Sequence, residues 1–227
     1  MAIDLAPQGV MVTSVGLGVL GDHITEPNTK IIPVHDGFAH FSDDIKLPLT
    51  PMIGVMGVAT KSGELHCAVP EDHGANMDTK LVRVGSRVYF PVNAEGAGLA
   101  VGDMHACMGD GELSGTGIEI AAEITVKVSL VKGFELNWPV LETFGPHGKW
   151  YVNASAQEFD EALMNVSKEM QRLLMHITGW DAIDTYMYMS VQSDVELSQA
   201  CKPCEVQLSL RMGTPKLPQF PPLVPQP

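Results

Sequence analysis

VGDMHACMGDGELSGTGIEIAAE, the stretch from Val101 to Glu123, changes character partway along. From Ile118 onward the chain alternates. Ile118, Ile120, Ile124, Val126, Val128 and Leu130 fall on one face, and Glu119, Glu123, Thr125, Lys127 and Ser129 on the other. A period of two marks a half-buried strand of the kind found in antiparallel sheets. Before Ile118 the pattern is that of a site. Asp103 and His105 are two apart, as are Asp110 and Glu112, so each pair shares a face wherever the backbone is extended. Gly109 and Gly111 interleave with the second pair and permit a close ligand approach that a side chain would obstruct.

The charge around this stretch is one-sided. Between Arg87 and Lys127 there is no Lys or Arg, yet Glu95, Asp103, Asp110, Glu112, Glu119 and Glu123 lie there, with His105 as the only histidine. Like charges held close cannot all stay ionised, so such a cluster calls for a cation, a shared proton or bulk water.

Working outward, residues 1 to about 50 are rich in Gly, Pro and Asp and read as loops and short strands, with Asp22-His23 and His35-Asp36 as polar loop pairs. An apolar strand is expected around Ile53 to Val58, followed by a Gly-rich connection through residues 60 to 80. LVRVGSRVYFPV, within residues 81 to 101, suggests a β-hairpin or two short strands. Further on, WYVNASA reads as a strand leading into a helix from about Gln157 to Ile177. Phe159, Leu163, Val166, Met170, Leu173, Leu174 and Ile177 recur there at helical spacing, with Ser155 as N-cap. Gly179 should end this helix and Asp181 start a second, through about Ser190. A last strand, CEVQLSLRM, alternates Val206, Leu208 and Leu210. The Pro-rich end reads as an extended tail over this subunit or a neighbour.

These elements imply a β-rich α+β protein, with a central, mostly antiparallel sheet or barrel-like region and a C-terminal α+β layer. The divisions expected are residues 1–147, 148–213 and a tail at 214–227. A length of 227 residues, 45% of them hydrophobic, suffices for a sizeable core. A net charge of −13 argues against nucleic acid as a partner. No run approaches the roughly 20 apolar residues that span a bilayer, and MAIDLAPQG lacks the features of a secretory signal, so a cytoplasmic protein is expected. Cys201 and Cys204 form a C-K-P-C pair read as ordinary reduced thiols.

The block GDMHACMGDGELSGTGIE resembles the signature of the acetamidase/formamidase family of amide hydrolases, of the form GD-x-H-A-x-x-GDGE-x-x-GT-x-IE. PMIGVMGVA (Pro51 to Ala59) and GANMD (Gly74 to Asp78) agree with it in order and spacing, and the likeness runs from about Gly16 to the C-terminus. Cys107 and Met108 occupy variable positions of the signature, and His73 stands where a glycine is usual. The resemblance implies hydrolysis of short aliphatic amides and a homo-oligomeric assembly. Family members carry a further β-rich N-terminal region, and the chain begins where that region would end; the resemblance then leaves two expectations, that a separate chain supplies the region or that activity is lost with it. It also places Asn76 and Asp78 near the active site as substrate-binding residues.

Amide hydrolysis needs an activated nucleophile, a stabilised oxyanion and a proton for the departing nitrogen. Glu112, following two glycines within the acidic cluster, is the expected general base, with His105 and Asp103 as catalytic partners. Asp103, His105 and Asp110 are expected to orient the water or hold a divalent cation, zinc or calcium; no organic cofactor is expected. Cys107, two residues from His105, offers a covalent route instead. A non-catalytic amidase subunit and a jelly-roll metalloprotein drawing on His23, His35 or His73 also fit the residues.

Overall fold

The computed structural model describes residues 2–61, 63–201 and 207–227. In chain order its strands are β1 (Ala2–Thr13), β2 (Asn28–His35), β3 (Phe38–His40), β4 (Lys46–Pro48), β5 (Met52–Gly57), β6 (Gly74–Asn76), β7 (Arg87–Tyr89), β8 (Ala100–His105), β9 (Glu119–Thr125), β10 (Val140–Glu142), β11 (Lys149–Ala156), β12 (Asp194–Gln199) and β13 (Leu208–Pro215). Two helices, α1 (Phe159–Thr178) and α2 (Ala182–Gln192), separate β11 from β12. One sheet has the order β4-β3-β2-β1-β9-β8-β5-β6 and the other β12-β13-β11-β10-β7, with antiparallel ladders throughout. This is the expected β-rich α+β class.

Strand alternation explains the layering. On β11, Trp150, Val152, Ala154 and Ala156 pack with Val166, Met170, Leu173 and Leu174 of α1, while Tyr151 joins the core of the first sheet. β10 divides the same way, Val140 toward the helix and Leu141 toward the first sheet. The five-stranded sheet is therefore the middle layer, and β11 is buried on both faces. On β13, Leu208, Leu210 and Met212 belong to the helix-side core. The intervening Ser209 and Arg211 face the opposite way, and both are buried.

Several elements differ from the sequence reading. The N-terminal region contains the twelve-residue β1, lying between β2 and β9. Of the hairpin or two short strands expected in residues 81 to 101, the second reading holds: β7 edges the five-stranded sheet while β8 begins at Ala100 in the other. β9 stops at Thr125, and Val128 and Leu130 are exposed, so the alternation outruns the strand. Phe159, expected on the buried helix face, is exposed. Glu158, not Ser155, occupies the N-cap of α1, and Ser155 Oγ donates instead to the Pro70 carbonyl. Gly179 ends α1 in the left-handed conformation and Asp181 caps α2 through the Asp184 amide, both as expected. The Pro-rich tail lies on its own subunit and adds Leu223 and Val224 to the helix-side core. Cys204 and Val206 fall outside the described residues.

Candidate active site

The acidic centre is assembled by neighbouring strands of the first sheet and by two turns. His105 ends β8, fully buried, directly opposite Glu119 at the start of β9. His105 Nε2 lies 3.0 Å from Glu119 Oε1, 3.5 Å from Asp103 Oδ1 and 3.7 Å from Glu112 Oε1. Its other nitrogen, Nδ1, is 3.0 Å from Met52 Sδ on β5, and Gly117 leaves room for the ring: a Cβ there would come within 2.9 Å of His105 Cγ. Asp78 follows β6 and reaches back over Gly54, where an added Cβ would collide with both the Asp78 and the Asp103 carboxylates. Only glycine lets the two acids converge at that point.

Three of these residues occupy left-handed backbone: Asp78 (φ 42°), Asp103 (φ 55°) and Glu112 (φ 44°). Such conformations cost about 1–3 kcal/mol each in a non-glycine residue, and surrounding structure must hold them. For Glu112 that structure is visible. Gly111 N donates to the Ser198 carbonyl at 2.9 Å, and Ala200 N donates to the Gly111 carbonyl at 2.9 Å, so β12 grips the turn on both sides.

Burial and repulsion set the protonation states. Asp78 is pushed well above the usual carboxylate range, first by burial and then by Glu112 and Asp103. Burial likewise raises Glu112 and Glu119. Asp103 is also penalised by burial, but its contact with His105 outweighs this and lowers it. Burial would depress His105, yet Asp103 and Glu119 override it and hold the imidazole up at about 10. The centre is thus four acids around one imidazolium.

Two sets of side chains bring ligand atoms within 4.8 Å of one another: Asp78, His105 and Glu112, and Asp103, His105 and Glu119. A divalent cation fits this donor set on a second ground. Asp78 Oδ1 and Gln199 Oε1 are buried and lack hydrogen-bond partners, which buried polar atoms seldom do.

Glu112, His105, Asp103 and Asp78 are therefore brought together. Asp110 is not. Both its oxygens are engaged by Arg211 at 2.8 Å, and Lys80 Nζ lies 2.6 Å from Oδ2. These cations outweigh burial and hold its carboxyl below the usual range. The sequence places Asp110 beside Glu112, but the turn at Gly111 sends the two carboxylates to different partners. Asn76 sits on β6 opposite Val55, outside both ligand sets. Cys107 is half-buried and burial pushes its thiol up, the wrong direction for a thiolate nucleophile. His23, His35 and His73 belong to neither ligand set; His35 instead stacks on His40 and bonds Asp36. Two residues escape the sequence reading. Glu119 falls on the polar face of the alternation although it closes the signature, and Gln199 carries no motif at all.

An open groove of about 710 Å³, floored by Gly9, Val10, Ile120 and Ala122, runs up to Asp103 and Glu119.

The model of the acetamidase/formamidase family matches residues 64–204, which contain the whole of this centre. The chain belongs to that family. Its acetamidase/formamidase relatives include the formamidase of Methylophilus methylotrophus, 50% identical over 64 residues, which are 28% of this chain and 16% of that protein. The acetamidase of Mycolicibacterium smegmatis is 38% identical over 110 residues, 44% of this chain and 25% of that protein. The matched stretches thus span a quarter or less of those relatives. Among solved structures, a predicted acetamidase/formamidase of the thermophile Thermoanaerobacter tengcongensis superposes with a TM-score of 0.89 at 38% identity. That likeness covers 94% of this chain and 69% of the other.

Proposed function

We propose that this chain hydrolyses short aliphatic amides, formamide and acetamide among them, to a carboxylate and ammonia by attack of water. The observation that carries the reading is the convergence of Glu112, His105, Asp103 and Asp78 on one centre in a member of a family whose relatives are named formamidase and acetamidase.

Glu112 is the base. Burial raises its carboxyl, so the ionised form takes up a proton more readily than an exposed glutamate would. It removes a proton from water as the water oxygen bonds to the amide carbon. It then returns that proton to the nitrogen, the C–N bond breaks, ammonia leaves, and the carboxylic acid formed gives its proton to the ammonia, so the products in solution are carboxylate and ammonium. Asp78, whose hold on a proton is tightened by burial and by its acidic neighbours, donates to the substrate oxygen as negative charge develops there. His105, clasped between Asp103 and Glu119, supplies positive charge beside the same oxygen. Asn76 serves as a second substrate contact, its amide matching that of the substrate.

A divalent cation would take the place of the His105 Nε2 proton: held by the neutral imidazole with Asp103 and Glu119, or with Asp78 and Glu112, it would supply Lewis-acid polarisation of water or carbonyl. The imidazole in both sets favours zinc over calcium, which takes oxygen ligands. A cytoplasmic location belongs to this proposal, as does a homo-oligomeric state, which rests on family resemblance.

The test is ammonia release from formamide and acetamide by the 227-residue chain, beside Glu112→Gln. Turnover by the wild type with a loss of about a hundredfold or more in the variant is expected. A wild type that releases no ammonia from either amide overturns the proposal.

A further inference from the structure

Gln199 is a neutral side chain set among buried acids, and it arrives from a strand far from the signature. It is 2% exposed. Its Nε2 donates to Glu112 Oε2 at 3.0 Å and to Asp78 Oδ2. An amide nitrogen has hydrogens to give and no lone pair to receive with, so both oxygens it touches act as acceptors. The reverse orientation would turn Oε1 toward two acids, so the neighbours themselves fix which end of the amide faces them. One oxygen of Glu112 is thereby occupied. The other, Oε1, is left 3.7 Å from His105 Nε2, on the side where the reacting groups gather.

We infer that Gln199 is the positioning residue of the reaction: by holding Glu112 Oε2 it presents Glu112 Oε1 to the attacking water. This rests on the amide-hydrolysis reading of the site. The hold is rigid because the strand beneath it is fixed twice. β12 shifts register against β13 between Leu197 and Gln199, so Gln199 comes opposite Ser209 while Glu196 remains opposite Arg211. Without that bulge, residues three apart on one strand would point to opposite faces. The backbone of the same strand grips Gly111, the residue before Glu112, through Ser198 and Ala200. Glu112 is thus located at its carboxylate and at its turn by one element. Gln199 also leaves Oε1 buried without a partner, a cost that a residue selected for stability alone would avoid.

The test uses the full chain with Gln199→Met, which keeps the bulk and removes the donor, and Gln199→Glu, which keeps the shape. Val195→Thr, on the exposed face of the same strand, controls for disturbance of β12. Both Gln199 variants should melt cooperatively near the wild-type temperature, yet lose about a hundredfold in kcat with KM changed by no more than about threefold. Val195→Thr should keep wild-type kcat. Crystal structures of the Gln199 variants should show the Glu112 carboxylate displaced by about 1 Å or rotated. A kcat within about threefold of wild type, or Glu112 found in place, overturns the inference. If the wild type itself hydrolyses no amide, the functional reading fails separately and the position of Glu112 in the crystals still decides the role of Gln199.

Discussion

At the scale of single residues, the centre is a problem of charge stored out of water. His105 is the group that balances the acids, and its proton is linked to folding. Its folded value of about 10 lies above the roughly 6.5 of an unfolded histidine. Below the unfolded value both states bind the proton, and the full stabilisation from the Asp103 and Glu119 contacts is present. As pH climbs from the unfolded value through the folded one, first the unfolded and then the folded state gives up the proton, and that stabilisation is lost. Urea unfolding of the chelator-treated chain should therefore show falling stability from about pH 7 to about pH 11, and His105→Gln should flatten that limb. A wild-type profile no steeper than the variant's would remove the imidazolium from the account. The need for such a counter-charge is legible in the sequence, since His105 is the only histidine in a stretch without Lys or Arg. That Glu119 is its nearest partner is not, because this depends on the register that sets β8 against β9.

At the scale of elements, legibility follows locality. α1 can be read because its buried residues recur along one continuous segment, and its glycine cap sits where the pattern stops. Of the two readings left open for residues 81 to 101, two short strands hold and the hairpin does not, because β7 pairs with β10 and β8 with β5 and β9, and composition says nothing of which sheet a short strand joins. Gln199 stays hidden for the same reason: a bulge in β12 aims it, and a bulge leaves no periodic trace. Asp110 shows the converse, a residue that motif spacing places in the centre and that a distant strand claims. Arg211 on β13 is 1% exposed, and it spans Asp110 on the Gly109 to Glu112 turn and Glu196 on β12. Removing one partner of a buried pair leaves the other charge uncompensated. Asp110→Ala should cost about 2–3 kcal/mol by urea unfolding, toward the low end of what breaking a fully buried pair costs, because Asp110 itself is partly exposed and Glu196 remains. It should also lower kcat, since the Glu112 turn loses an anchor. A variant with full stability and full kcat would show that the ion pair merely decorates the turn.

At the scale of the whole molecule, the site lies where the two sheets meet, so the helix layer backs the site without touching it. Signature residues on the Gly109 to Glu112 turn meet β12 and β13, and α1 backs β13 and β11 from the other side. The tail completes that backing. Leu223 is 1% exposed and Val224 2%, both inside the helix-side core, while Gln226 reaches Tyr89 and Arg87 near Glu142. Truncating Leu223 to Ala removes buried methyl groups and leaves a cavity that packed neighbours fill only in part, a cost of about 2–4 kcal/mol. In a chain of this size that corresponds to a fall in melting temperature of about 4–16 °C. The lesion lies on the far side of the middle sheet from the carboxylates, so at temperatures where the variant remains folded its kcat and KM for an amide substrate should match those of the wild type. Thermal melts run beside ammonia-release assays check both halves. A matched loss of kcat well below the melting transition would mean that strain passes through β11 and β13 to the Glu112 turn, and that the layers act as one unit in catalysis and not only in folding.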